Sequence, residues 1–186
     1  MARSERRVEA LLRVPLASFT AALLPSQTVS LPRIYIETTI PSYLTARRSR
    51  DLRIAADQET TEEWWETQRR GYELFISETV LDEAAAGDVE FAARRLAVLD
   101  GVPRLALTTE AAALATRLLS TEIIPTTASP DALHLAIAAA HGMDFLLTWN
   151  CRHIHNLMLE RRIQATCQAL GFECPIICTP AELMES

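Results

Sequence analysis

Apolar and polar positions change period repeatedly along the chain, and each change marks an element. Arg33-Ile34-Tyr35-Ile36-Glu37 alternates and β-branches like a short strand. The turn that follows carries Pro41, which suits the first turn of a helix. Residues 47–70 are polar with a sparse apolar stripe at Leu52, Ala55, Ala56, Trp64 and Trp65, the pattern of one or two helices with much solvated surface. Residues 72–76 read as the next strand. Ser77 or Thr79 caps a helix carrying Val80, Leu81, Ala84 and Ala85, which Gly87 ends. Asp88 caps another, whose core face is Phe91, Leu96, Val98 and Leu99. A strand over 104–107, a helix from Thr108 or Thr109 to about Ser120 and a loop over 125–130 come next. Residues 131–141 form an Ala/Leu-rich helix, and 144–149 are a continuous apolar run typical of a strand buried on both faces. A helix over 154–170, a strand over 175–178 and a helix opened by Thr179 complete the chain. This alternation predicts an α/β protein with a parallel sheet covered by helices on both faces.

The 186 residues allow one domain. It is expected to span 31–186, with 1–30 as an N-terminal extension. Glu5 and Glu9 weigh against a signal or transit peptide. The longest apolar stretches fall well short of the ~20 residues of a membrane span, so no membrane partner is expected. Four cysteines without a CxxC pair point to free thiols in a reducing, cytoplasmic setting. All 18 basic residues are arginine. The lack of lysine excludes a Walker-A phosphate site and Schiff-base chemistry. The five glycines cannot assemble GxGxxG, which removes a Rossmann nucleotide site in its usual form. A net charge of −6 excludes a simple cationic sleeve for nucleic acid.

Ligands on open parallel sheets bind beyond the carboxyl ends of the strands, and carboxylates gather there. Glu37 ends the first strand, Glu78 follows the second with Asp82 and Glu83 one turn later, Asp131 heads the Ala-rich helix, and Asn150 follows the strand over 144–149. Hard oxygen donors at such positions suit Mg²⁺ or Mn²⁺. Bland readings stand beside these. Asp131 and Asn150 are good helix caps, and any of Glu78, Asp82 and Glu83 could be the second acid. His134, one turn after Asp131 on the same face, either bonds a carboxylate or packs against the sheet, and packing is expected. Asp144 precedes its strand and lies at the opposite edge, a structural position. His153 and His155 near Cys151, with Cys174 and Cys178, match no standard zinc spacing. Thr38 and Thr39 are placed to hold the Glu37 carboxylate and a phosphate, Ser42 and Thr148 to touch phosphate or a water. Arg47, Arg48 and Arg50, with Arg53, could grip phosphates bidentately, or form a solvated helix face.

Four segments carry a resemblance: residues 35–44 (YIETTIPSYL), 77–83 (SETVLDE), 131–136 (DALHLA) and 147–150 (LTWN). Their order and spacing resemble the motifs of PIN-domain proteins, closest to the VapC-like toxins of type II toxin–antitoxin systems. The resemblance implies a three-layer α/β/α sandwich around a parallel sheet of about four to five strands. It implies a Mg²⁺- or Mn²⁺-dependent ribonuclease in which Glu37, Glu83, Asp131 and Asn150 hold the metal. Its implied partners are an RNA substrate, a cognate antitoxin that inserts a basic residue among the carboxylates, and a second copy of the chain. Two positions depart from the pattern. Glu37 stands where Asp is usual, and Asn150 replaces a carboxylate, which weakens binding of a second metal. These departures motivate the alternative of a PIN-like RNA- or protein-binding module with weakened catalysis.

Overall fold

Strands β1 (Arg33–Ile36), β2 (Glu73–Ser77), β3 (Arg104–Leu105), β4 (Phe145–Leu147) and β5 (Ile176–Cys178) form one parallel sheet in the order β3-β2-β1-β4-β5. This is a computed structural model, and it describes residues 30–184. The expected extension over 1–30 lies outside the described residues, apart from Ser30.

The helices are α1 (Thr39–Thr45), α2 (Leu52–Thr67), α3 (Glu78–Ala85), α4 (Val89–Val98), α5 (Thr109–Ser120), α6 (Ser129–Ala140), α7 (Leu157–Ala169) and α8 (Pro180–Met184). The order of strands and helices is the one the pattern predicts. The chain first runs outward from β1 through β2 to β3, then returns to the other side of β1 for β4 and β5. Right-handed crossovers place the helices of these two halves on opposite faces. Accordingly α1 to α4 pack among themselves, as do α5, α6 and α7, and the two groups meet where α3 touches α6.

The centre of the sheet is dry: Ile34, Tyr35, Ile36, Leu146 and Leu147 are all fully or almost fully buried. The β1–β4 register pairs Ile36 with Leu147. The next residues on each strand, Glu37 and Thr148, therefore emerge side by side, where the strand order reverses and such sheets bind ligands.

Several local expectations are corrected. Polar residues do much of the packing on α2: Gln58, Thr61 and Trp64 are its buried residues, whereas Leu52 is exposed. Gln58 fits because its amide bonds Ser49 N–H (2.9 Å) and Arg47 C=O (3.1 Å). Leu96 is exposed, and Ala92 is the buried residue of α4. The 125–130 loop contains a 3-10 turn at Thr126–Ala128, and α6 already starts at Ser129 with Pro130 in its first turn. Asp131 is thus inside the helix, where its charge favours the positive helix end, and is not its cap. Helix α7 begins at Leu157, after turns held by Asn150, and Asn156 caps it through Met158 N–H. Asp144 is structural as expected, accepting from Arg33 N–H at 2.7 Å.

Candidate metal and catalytic site

Glu37 is buried at the exit of β1. Its Oε2 accepts from Thr39 N–H (3.0 Å), from the Thr39 hydroxyl and from the Thr148 hydroxyl (2.7 Å). All of these donors fall on one oxygen, and among the described residues Oε1 takes no hydrogen bond. Thr148 is fully buried, and its Oγ1 also accepts from Asn150 N–H at 2.8 Å. Its expected contact with substrate is therefore corrected: it is a strut beneath Glu37. The Thr39 hydroxyl likewise accepts from Trp149 N–H at 2.8 Å, tying the β1 and β4 exits together.

Glu83 reaches the same place from α3. Its Oε2 accepts from the Thr38 hydroxyl and lies 2.8 Å from His134 Nε2. Burial raises the Glu83 pKa, but the bonds from His134 and Thr38, with the attraction of His134, outweigh that and hold the carboxyl below its ordinary range. Glu78 and Asp82 stay outside. Glu78 is an exposed partner of Arg104 at 3.6 Å, and Asp82 faces solvent.

His134 is fully buried. Its Nδ1 lies 2.8 Å from the Tyr35 hydroxyl, which is 2.6 Å from Ser77 Oγ. A line of buried polar groups thus runs from Ser77 through Tyr35 and His134 to Glu83. Both readings of His134 meet here: it packs in the core and bonds a carboxylate. Tyr35 and Ser77 were not candidates in the sequence. A tyrosine in an otherwise aliphatic, doubly buried strand is the only sign of them, because a buried hydroxyl needs a partner.

Donor atoms of Glu37, Glu83 and His134 lie within 4.8 Å of one another. His134 engages both ring nitrogens with protein, so the cation-binding capacity belongs to the two carboxylates. They fit a hard divalent ion, which takes one or two direct carboxylates and keeps water or phosphate oxygens on its other positions. The fit rests on an observation: every protein donor to either glutamate falls on Oε2.

Asp131 is not brought into this group. No choice of oxygens closes Glu37, Glu83 and Asp131 within the same 4.8 Å. Its Oδ2 instead lies 2.8 Å from His153 Nδ1. Asn150 is also engaged otherwise, its Oδ1 accepting from His153 N–H at 3.1 Å. The expected contacts of the arginines are partly used within the protein. Arg47 stacks over Phe91 at 5.5 Å, and Arg48 bonds Ala55 C=O (3.1 Å) and Glu62 (3.3 Å). Arg50 is exposed and Ser42 lies half-buried in α1. Among the described residues the cysteines are free and form no metal group with the histidines: His155 pairs with Glu182 at 3.2 Å.

The molecule is thus an open α/β domain with an acidic, cation-ready site at the point where its strand order reverses. No protein-family model and no curated protein matches the chain. Solved structures do. VapBC2 of Rickettsia felis, bound to a DNA fragment from its promoter, superposes with a TM-score of 0.50 at 17% identity, over 78% of this chain and 97% of that one. VapC20 of Mycobacterium tuberculosis, a Sarcin-Ricin loop cleaving toxin, gives a TM-score of 0.48 at 17% identity, over 75% and 95%. The fold is the PIN-domain fold of the VapC-like kind. Among the described residues no helix is long and apolar enough to cross a membrane.

Proposed function

We propose that this chain is a divalent-metal-dependent endoribonuclease, the toxin of a toxin–antitoxin pair, acting in the cytoplasm on an RNA phosphodiester. The observation that carries the proposal is the pair Glu37 and Glu83, each held through its Oε2, with donor atoms that lie within 4.8 Å of one another and of His134. A bound Mg²⁺ or Mn²⁺ supplies charge neutralisation at the phosphate and a water of lowered pKa. The protein's own part is positional. Thr39 and Thr148 fix Glu37, and Thr38 and His134 fix Glu83, so that two carboxylates converge without reorganising. Arg50, exposed after α1, is available for phosphate. The cognate antitoxin, a second copy of the chain and a separate 1–30 extension belong to the same proposal, supported by the likeness to VapC structures and by the sequence.

The test is cleavage of RNA by the purified chain with Mg²⁺ or Mn²⁺, abolished by EDTA and by Glu83→Gln. Cleavage that survives both rules the proposal out. One observation favours the weaker-catalysis alternative: Asn150 caps the following turn with the oxygen that would have been a ligand. That reading predicts salt-sensitive RNA binding without metal-dependent turnover.

A further inference from the structure

We propose that Cys167 and Cys174 are a site of reversible oxidation: a hydroperoxide joins them in a disulfide that staples the end of α7 to the start of β5. The inference does not depend on the nuclease reading.

The local sequence builds the pair. Helix α7 ends in a Schellman turn, in which Phe172 N–H bonds Cys167 C=O and Gly171 N–H bonds Gln168 C=O, both at 3.0 Å. Gly171 takes φ +80°, which a residue with a Cβ rarely adopts. The chain thus folds back over Cys167 and presents Cys174 two residues after Phe172. Cys167 is fully buried in the core, and Cys174 packs half-buried against that core. Their thiols are hydrogen-bonded to each other. A cleft of about 580 Å³, lined by Gln164, Gln168, Phe172 and Cys174 among others, opens on the outer thiol. A small uncharged oxidant therefore meets Cys174 first, with Cys167 behind it.

The other two cysteines lack this arrangement. Cys178 is buried, and burial is the main force pushing its thiol up to about 12. The exposed Cys151 thiol is raised by desolvation, with the charges of Asp57 and Glu182 adding to it. Within the pair, the hydrogen bond from Cys174 holds the Cys167 thiol below its ordinary value against the effect of burial. Cys167 is thus the readier thiolate, as the thiol that attacks second needs to be.

The steps balance. Cys174 Sγ attacks one oxygen of the peroxide. An S–O bond forms, the O–O bond breaks, and the leaving oxygen takes the thiol proton and departs as water. Cys167 Sγ then attacks Cys174 Sγ. The S–S bond forms, the S–O bond breaks, and the hydroxyl leaves with the Cys167 proton as a second water. Two thiols are oxidised, and one hydrogen peroxide is reduced to two waters. A reducing cytoplasm returns the pair to dithiol when the oxidant is gone.

The test uses the full chain carrying Cys151→Ser, which removes the exposed thiol. It is treated with hydrogen peroxide, its free thiols are labelled in denaturant, and a second label is added after reduction. The expected result is a monomer lighter by two hydrogens, with the first label on Cys178 and the second on Cys167 and Cys174. Closing the short 167–174 loop should raise the thermal midpoint by about 4–8 °C, and dithiothreitol should reverse the shift. On the same background, Cys167→Ala should stop at a Cys174 sulfenic acid that dimedone captures, and Cys174→Ser should leave Cys167 unoxidised. If Cys167→Ala does not fold, the label map of the parent chain decides. A bridge to Cys178 or to another chain overturns the inference, as does Cys174 passing to sulfinic acid while Cys167 stays a thiol. Two thiols that both survive peroxide sufficient to oxidise glutathione also overturn it.

Discussion

His134 Nδ1 lies 2.8 Å from the Tyr35 hydroxyl, and through this contact the centre of the sheet sets the aim of Glu83. Glu83 accepts from Nε2, so in the neutral ring Nδ1 accepts from Tyr35 O–H, and the Tyr35 oxygen in turn accepts from Ser77. Every member has a partner. Burial is the main force keeping the Tyr35 hydroxyl protonated, far above its ordinary range. The arrangement has a visible cost at α3: Ser77 sits at its N-cap position yet makes no side-chain cap bond, because its hydroxyl faces Tyr35.

Removing the middle of this line should therefore be expensive. Tyr35→Phe keeps the ring and leaves Ser77 Oγ and His134 Nδ1 buried without partners, for a loss of about 1–3 kcal/mol. Ser77→Ala removes only the outermost member and should cost less, about 1 kcal/mol. Urea denaturation of both variants and of the double variant measures this, and the two effects should fall short of additive. A Tyr35→Phe protein as stable as wild type would show that the line contributes nothing.

Glu83 makes acid stability legible. Its carboxyl is held below its ordinary range in the folded state, so its protons bind more tightly to the unfolded chain. Its contribution is then present in full above the ordinary carboxylate range and is lost as pH falls through the lowered folded value. Glu182 behaves alike: burial raises its pKa, but bonds from Thr179 and His155 lower it further. Wild type should therefore lose stability between about pH 5 and pH 3 faster than Glu83→Gln, in melting temperatures taken across that range. Parallel curves for the two proteins would remove Glu83 from the acid transition.

What the sequence shows of this molecule is what local period and punctuation can carry. The strand over 144–149 is readable as doubly buried because its side chains are apolar on both faces, and Asp88 and Thr108 announce their helices by capping. The exit of β1 is readable as a site because strand ends in parallel sheets are sites. Partnerships across distant segments are not readable. Asp131 has the residue type and place of a ligand, yet it pairs with His153, and only the turn held by Asn150 brings that ring to it. Gln58 and Thr61 look solvated, yet they are buried because their partners come from the 47–49 segment and from Trp149.

Two carboxylates converging on one point repel until a cation joins them, and this should appear as linkage. Mg²⁺ or Mn²⁺ at 100 times its dissociation constant should stabilise the wild type by about 2.7 kcal/mol. Glu37→Gln and Glu83→Gln should lose the shift. In EDTA Glu37→Gln should unfold close to wild type, since an amide oxygen still accepts from Thr39 and Thr148 while one charge is gone. Thermal scans with and without metal test this, and a metal-induced shift that survives both substitutions would place the cation elsewhere.

The two tryptophans Trp64 and Trp149 reverse the usual link between burial and cost. Trp64 is fully buried against Trp65 and Tyr72, and among the described residues its Nε1 is the one buried side-chain polar atom without a hydrogen bond. Trp149 is half-buried, stacked on Tyr43 with ring centroids 6.0 Å apart, and its Nε1 donates to Thr61 Oγ1 at 2.8 Å. Trp64→Phe creates a small void but removes an unpaired donor whose burial costs about 1–3 kcal/mol, so the net change should stay within about 1 kcal/mol. Trp149→Phe breaks a bond to the fully buried Thr61 and loosens the stack on Tyr43, and should cost about 1–3 kcal/mol. The more exposed ring is thus the more expensive one to truncate. Chemical denaturation of the two single variants compares them directly, and a Trp64→Phe loss larger than the Trp149→Phe loss would mean that the void, not the orphaned N–H, governs that part of the core.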